Sequence, residues 1–315
     1  MVSNWNSNSS EFDFTDSELL KIDASCVEIE NELDRGGQGV VFKGKYNISD
    51  DRKENVVIKK YANSKNTMEL LFYNKFKNEN DMLVDFYGFF YDKANNLNIV
   101  LQEVPGVNLG RYLETKEIPD QEKYYIIMKI CDFVIWLKEN KFAHRDLKPE
   151  NIMVITNNVK SSISLKILDF GVSKCNDTNF SSFGAKFTIN YMAPELFEEE
   201  ENSMLDLMEL HRIRGSNKVD VWSIGCLLSF MMSGINPWNS PGKKLNGFQI
   251  QTNILAGLTF PIPPNINEEA KRIINLCTMN EPSKRINIDS LRQLVGELYN
   301  GNSIMEFELQ MSNYA

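Results

Sequence analysis

From Cys26 to Leu101 the apolar positions come in short runs, VEIENEL, GVVFKGKY, NVVIKKY and LNIVLQEV, separated by polar stretches rich in Asn, Asp and Gly. Runs of that length closed by turn formers predict strands. One segment near Thr67–Lys77 interrupts them and reads as a helix. Beyond Leu109 the period changes. In YYIIMKICDFVIWL, Ile127, Ile130, Cys131 and Val134 recur at i, i+3, i+4 and i+7, which is one buried helix face. The stretch VPGVN, Val104–Asn108, carries Pro and Gly and reads as a hinge between the two patterns. The expected fold class is α+β, a small antiparallel sheet with one main helix followed by a larger, mostly α-helical part. The expected division is a flexible leader over 1–25, a small lobe over 26–103, a large lobe over 104–300 and a tail over 301–315.

Composition narrows the function classes. The 315 residues hold 34 basic and 43 acidic side chains, a net charge of −9. A nucleic-acid or anionic-membrane binder would show a basic footprint, so neither is expected as a partner. The five cysteines (Cys26, Cys131, Cys175, Cys226 and Cys277) are far apart, which excludes a zinc module by spacing and fits free thiols in a reducing compartment. The most apolar stretch, Val219–Ile235, contains Asp220, Ser223 and Ser233 and reads as a buried helix rather than a membrane span. The first residues show no secretory pattern, so a cytoplasmic location is the default. Two polar insertions, Thr156–Ser164 and Glu198–Arg214, read as a hairpin tip and a surface loop, with a docking surface as the sharper alternative. No repeat at solenoid periods is present.

Three motifs carry the chemistry. His144-Arg145-Asp146-Leu147-Lys148-Pro149-Glu150-Asn151 comes first; Asp169-Phe170-Gly171 begins 18 residues after Asn151; Ala193-Pro194-Glu195 begins 22 residues after Gly171. Singly, each has a plain structural reading as an ion pair or an Asx-Gly turn. In this order and spacing they resemble the eukaryotic protein kinase family, serine/threonine-specific, over about Val27–Leu298. The resemblance implies a bilobal kinase fold with the active site in the cleft between lobes, ATP and Mg²⁺ as cofactors, and a protein substrate with a Ser or Thr acceptor. Phosphoryl transfer asks a protein mainly for positioning and charge neutralisation. Asp146 is then the catalytic base for the substrate hydroxyl, and Lys148 contacts the transferring phosphate. Asn151 and Asp169 are the metal ligands, hard oxygen donors of the kind Mg²⁺ takes.

The same resemblance assigns the nucleotide site. Lys59, closing Val56-Val57-Ile58-Lys59, grips the phosphates and pairs with a helix glutamate. Glu69 is the best candidate because it opens the amphipathic stretch MELLFYNKF, whereas Glu79 reads as loop. The phosphate-covering loop runs from Leu33 to Val41 and supplies Gly36, Gly37 and Gly39, with Asp34 where the family pattern has its first glycine. Proline has no N–H, so Pro105 cannot donate to adenine. With the resemblance, that favours Val104 as donor and Gln102 as carbonyl acceptor, with Leu101 guarding the back of the site and Asn108 near the ribose. Leu33, Val41, Val57 and Met153 form the apolar sandwich.

Between Gly171 and Ala193 lies the expected activation segment, with Thr178, Ser181 and Ser182 as the alternative candidates to carry a phosphate that Arg145 would bind. Thr188 is the supporting threonine, preceded by Phe187. Asp220, Glu195 and Arg285 are expected as buried structural groups, and His144 as a core histidine. Lys148-Pro149-Glu150 points to serine/threonine specificity, and Phe86-Tyr87-Gly88-Phe89 with Val104-Pro105-Gly106 hints at the tyrosine-kinase-like branch. The alternative reading is a pseudokinase acting as a scaffold or allosteric binder, which Asp34 and Val57 favour and the intact Lys59, Asp146, Asn151 and Asp169 oppose. A small-molecule kinase is weakened by Ala193-Pro194-Glu195 and by DVWSIG. The expected setting is signalling; the residues do not give the oligomeric state.

Overall fold

A computed structural model describes residues 19–36, 39–49, 51–62, 68–157, 162–171, 189–197 and 216–301. The chain divides into two compact units between Val104 and Pro105, inside the hinge stretch.

The first unit is a five-stranded antiparallel sheet in the order β1-β2-β3-β5-β4, built from β1 (Val27–Gly36), β2 (Gly39–Ser49), β3 (Arg52–Tyr61), β4 (Phe86–Tyr91) and β5 (Leu97–Gln102). Alternation along β3 sorts the side chains. Val56 and Ile58 are fully buried and pack with Phe90 and Val100, while Val57 and Lys59 fall on the opposite face. The register sets Lys59 across from Val41 of β2 and Ile99 of β5. Helix α1 (Met68–Phe76) buries Leu70, Phe72, Tyr73 and Phe76, and the Tyr73 ring stacks on Phe86. β4 was not among the strands expected from sequence. Its run FYGFFY does not alternate, and Gly88, at φ 134°, breaks the register between Phe86 and its neighbours. The sequence boundary of the leader also shifts. Leu19 is buried and Lys21 forms a parallel bridge with Phe89, so Leu19–Ser25 are not a free leader; residues 1–18 lie outside the described residues.

The second unit is mainly helical. A three-stranded sheet, β6 (Val107–Asn108), β7 (Ile152–Asn157) and β8 (Ser162–Ile167), accompanies α2 (Leu109–Thr115), α3 (Asp120–Glu139), α4 (Lys218–Ser233), α5 (Gly247–Leu255), α6 (Glu268–Cys277) and α7 (Ile288–Tyr299). Asn108, Asn246, Asn267 and Asn287 cap α2, α5, α6 and α7 by accepting from first-turn amides. Ile127, Ile130, Cys131 and Val134 of α3 are all fully buried, as their spacing requires. α3 packs against α7 and α4, and α4 against α6. α4 covers most of the apolar stretch read as a core helix, and it is closed by Gly234 in a left-handed conformation. Among the described residues no helix is long and apolar enough to cross a membrane.

Candidate active site

In the first unit the turn after β1 brings Gly36 opposite Gly39, Asp34 opposite Val41, and then Val41 opposite Lys59. Gly39 has φ 151°, and a Cβ there would sit 2.2 Å from the Lys60 carbonyl oxygen, so the hairpin lies on β3 only because the residue is glycine. Asp34 accepts from its neighbour's amide, Arg35 N, at 2.8 Å, and Arg35 turns its guanidinium to Glu32. Leu33 is 55% exposed. Gly37 lies outside the described residues.

Lys59 Nζ contacts Glu69 Oε1 at 2.6 Å. Glu69 is fully buried on the first turn of α1, whereas Glu79 is exposed beyond the helix end. A buried carboxylate must be paired and hydrogen-bonded, and here a second donor completes it: the Tyr61 hydroxyl donates to Glu69 Oε2. Sequence reasoning missed Tyr61. Its only signal was the two-residue step from Lys59, which puts both side chains on one face of β3.

At the end of β5, Gln102 N donates to the Asp85 carbonyl at 2.9 Å and Glu103 N to the Asn55 carbonyl at 3.2 Å. The Glu103 carboxylate pairs with Lys43 at 2.7 Å. Val104 follows, half-buried.

In the second unit, the loop after α3 is held from below by a single carboxylate. Asp220, in the first turn of α4, accepts His144 N on Oδ2 at 2.9 Å and Arg145 N on Oδ1 at 2.7 Å. It is fully buried, and burial raises its pKa to about 6 against the opposing pull of those two amides. Arg145 takes φ 74° at this bend. His144 is a core residue: Nδ1 accepts from Asp146 N at 3.3 Å, and Nε2 lies 3.1 Å from the Leu168 carbonyl, which assigns the proton to Nε2.

The loop delivers Asp146. Its Oδ2 accepts Lys148 Nζ at 2.7 Å and Asn151 Nδ2 at 2.9 Å, and Asn151 Nδ2 also donates to the Asp146 carbonyl at 2.8 Å. Leu168 N donates to the Asn151 carbonyl, which ties the loop to the exit of β8 and sets Asp169 beside it. Asp169 has φ 65°, and its Oδ1 accepts Gly171 N at 3.3 Å. Burial is the main cause of a raised Asp146 pKa; Lys148 pulls it down, and the like charge of Asp169 pushes it up. Asn108 pairs with Met153 across β6 and β7, and its side-chain oxygen caps α2 by accepting Arg111 N at 2.8 Å.

The donor set suits one kind of metal. Asp146 pairs with the Lys148 ammonium, the like charge of Asp169 lies close enough to act on it, and the Asn151 amide nitrogen donates twice to Asp146, leaving the Asn151 oxygen as an acceptor. Among the described residues no group of three or more His, Cys, Asp or Glu could hold an ion by itself. Two hard oxygen donors without a complete cage match Mg²⁺, which keeps waters and takes phosphate oxygens for the rest. The residues fit that ion and do not fit zinc.

Glu195 and Arg285, 90 positions apart, form a buried bidentate pair at 2.6 and 2.7 Å, and the Arg285 guanidinium lies over the Trp222 ring. Cys175, Thr178, Ser181, Ser182, Phe187, Thr188, His211 and the Glu198–Arg214 insertion lie outside the described residues.

An antiparallel sheet bearing a lysine–glutamate pair, followed by a helical unit bearing these two carboxylate loops, is the architecture of a protein kinase. A family model described as "Protein kinase domain" matches residues 27–295. The chain is 33% identical over 202 residues to "Probable serine/threonine-protein kinase fhkC" of Dictyostelium discoideum, covering 63% of this chain and 31% of the relative. It is 28% identical over 265 residues to "Serine/threonine-protein kinase plk-2" of Caenorhabditis elegans, covering 84% and 36%. It is 24% identical over 292 residues to "Dual specificity protein kinase TTK" of Mus musculus, covering 87% and 32%. The chain spans about a third of the length of these relatives. It belongs to the protein kinase domain family.

Proposed function

We propose that the chain is an active protein kinase that transfers the γ-phosphate of Mg-ATP to Ser or Thr hydroxyls of a protein. The observation that carries this reading is the web around Asp146. A carboxylate held on one oxygen by Lys148 and Asn151 keeps its other oxygen, Oδ1, for an incoming hydroxyl. Asp146 orients that hydroxyl and accepts its proton at Oδ1, a contribution of typically about 10²–10⁴-fold. Lys148, already beside the base, neutralises charge on the phosphoryl oxygens. Asn151 and Asp169 are the residues to hold Mg²⁺, which when bound supplies positive charge to the phosphates.

Lys59, fixed by Glu69, is the ammonium that holds the phosphates. Gly36, Gly37 and Gly39 supply the covering turn, and Leu33, Val41, Val57 and Met153 are the apolar residues for the base. The Gln102 and Glu103 amides are already engaged, which favours Val104 as the adenine donor with the Gln102 carbonyl as acceptor. Asn108 is assigned to the ribose through its amide nitrogen, since its oxygen caps α2. The Asp34 carboxylate is turned onto its neighbour's amide, Arg35 N, which supports tolerance of that residue in the loop.

The test is transfer of radiolabelled phosphate from ATP to a generic basic protein, with mapping of the modified residues. Label on Ser and Thr, lost in Asp146→Asn, is the expected result. Absence of transfer by the wild type with Mg-ATP bound would turn the reading to a pseudokinase. Label on Tyr as well would widen it to dual specificity, the term in the name of one relative.

A further inference from the structure

Helix α1 is nine residues long, about two and a half turns, too short to hold itself in place. Its position is therefore set by its contacts: beside the buried packing of Leu70, Phe72, Tyr73 and Phe76, two polar grips stand out among the described residues, one near each end.

The first is at Glu69. The step of two residues along β3 puts Lys59 and Tyr61 on the same face, side by side under the first turn of α1. Each takes one oxygen of the carboxylate: Lys59 Nζ holds Oε1 at 2.6 Å, and the Tyr61 hydroxyl holds Oε2. Tyr61 and Glu69 are both buried, at 8% and 0% exposure. Two donors on two oxygens fix the rotation of the carboxylate, which one donor would leave free.

The second grip is at Asn74, a turn and a half further along. Its Oδ1 accepts Leu20 N at 3.0 Å. Leu20 belongs to a strap that runs beside β4, with Phe89 N donating to the Leu20 carbonyl at 3.0 Å and Ile22 N to the Phe89 carbonyl at 2.9 Å. The strap fits because position 88 is glycine: a Cβ there would lie 2.6 Å from Ile22 Cγ2 and 2.7 Å from the Leu20 carbonyl oxygen. It precedes the stretch matched as the kinase domain, which begins at residue 27.

We propose that Tyr61 and Asn74 are positioning residues that hold α1 at its two ends and so present Glu69 to Lys59, with the strap at Leu20–Ile22 a working part of that arrangement. The inference rests on the reading of Lys59 as the phosphate-holding residue. Tyr61 acts through Glu69, and Asn74 through the helix; neither is assigned a contact with nucleotide.

The test uses the full chain with Tyr61→Phe and Asn74→Ala, each alone and in a Lys59→Ala background. Affinity for Mg-ATP is read by calorimetry, and amide hydrogen exchange across α1 by mass spectrometry without nucleotide. Tyr61→Phe is expected to weaken Mg-ATP binding roughly tenfold, the effect of losing a hydrogen bond to a charged group. That loss should vanish in the Lys59→Ala background, whereas a merely structural defect would persist there. Both variants should speed exchange in α1 by about tenfold in the free protein. Unchanged α1 exchange in Tyr61→Phe, or the same loss of affinity with and without Lys59, would overturn the proposal. If the wild type itself fails to bind Mg-ATP, the nucleotide reading falls, and α1 exchange alone decides whether the two grips exist.

Discussion

Asn151 gives both hydrogens of its side-chain amide to Asp146, one to the main-chain carbonyl at 2.8 Å and one to carboxylate Oδ2 at 2.9 Å. The loop is thereby closed on itself across the four residues between them, and the proposed base is aimed by a residue also proposed for the metal.

Asn151→Ala should therefore do two things. It leaves a buried carboxylate short of a donor, which costs about 1–3 kcal/mol of stability. It also frees the base and removes an oxygen donor, so phosphotransfer should fall by at least ~100-fold. Urea unfolding and steady-state phosphotransfer measure the two effects separately; near-normal turnover in a folded Asn151→Ala would remove Asn151 from the site.

Lys148→Met should move a pH profile. In the proposed function Asp146 works as the carboxylate, so the rate should rise as pH passes upward through its pKa. Burial raises that pKa and Lys148 opposes the rise. Without Lys148 the pKa climbs further, and the acidic limb of kcat/KM for the protein substrate should shift to higher pH. An unmoved limb, with only the plateau lowered, would mean that Lys148 does not tune the base.

The Glu195–Arg285 pair is buried on both sides, and removing one partner leaves the other charge stranded. Glu195→Ala should destabilise the chain by about 3–5 kcal/mol. The Arg111–Glu114 pair is exposed on both sides, and Glu114→Ala should change stability by less than about 1 kcal/mol. Denaturant unfolding of the two variants under one set of conditions checks the contrast; equal effects would refute the burial argument.

Asp220 predicts a stability–pH relationship. Its folded pKa of about 6 lies above the ordinary carboxylate value of 3.8. The folded state holds the proton more tightly, so this group's contribution is fully present below about pH 4 and is lost as pH rises through 6. The stability difference between wild type and Asp220→Asn should thus shrink by up to about 3 kcal/mol from pH 4 to pH 7. Unfolding curves of both proteins across that range measure it, and a pH-independent difference would contradict a raised pKa.

Much of the fold was legible because its signals are local. β1, β2, β3 and β5 follow from short apolar runs closed by turn formers, and α3 from a helical period that burial matches residue for residue. β4 was not legible, because Gly88 interrupts its alternation to admit the strap. The choice of Glu69 over Glu79 could be argued from amphipathic pattern, but the pairing itself depends on where α1 stops.

What the chain's order of residues determined by itself was chemistry at close range: the strand and helix periods, the Asp146-to-Asn151 loop, and the turn at Asp169. Such features need only neighbouring residues and their backbone preferences. Tertiary structure alone decided which distant groups meet, such as Tyr61 with Glu69 and Leu20 with Asn74. Those contacts depend on two segments reaching one place with unsatisfied polar atoms to spare, a condition that no spacing along a single strand or helix can express.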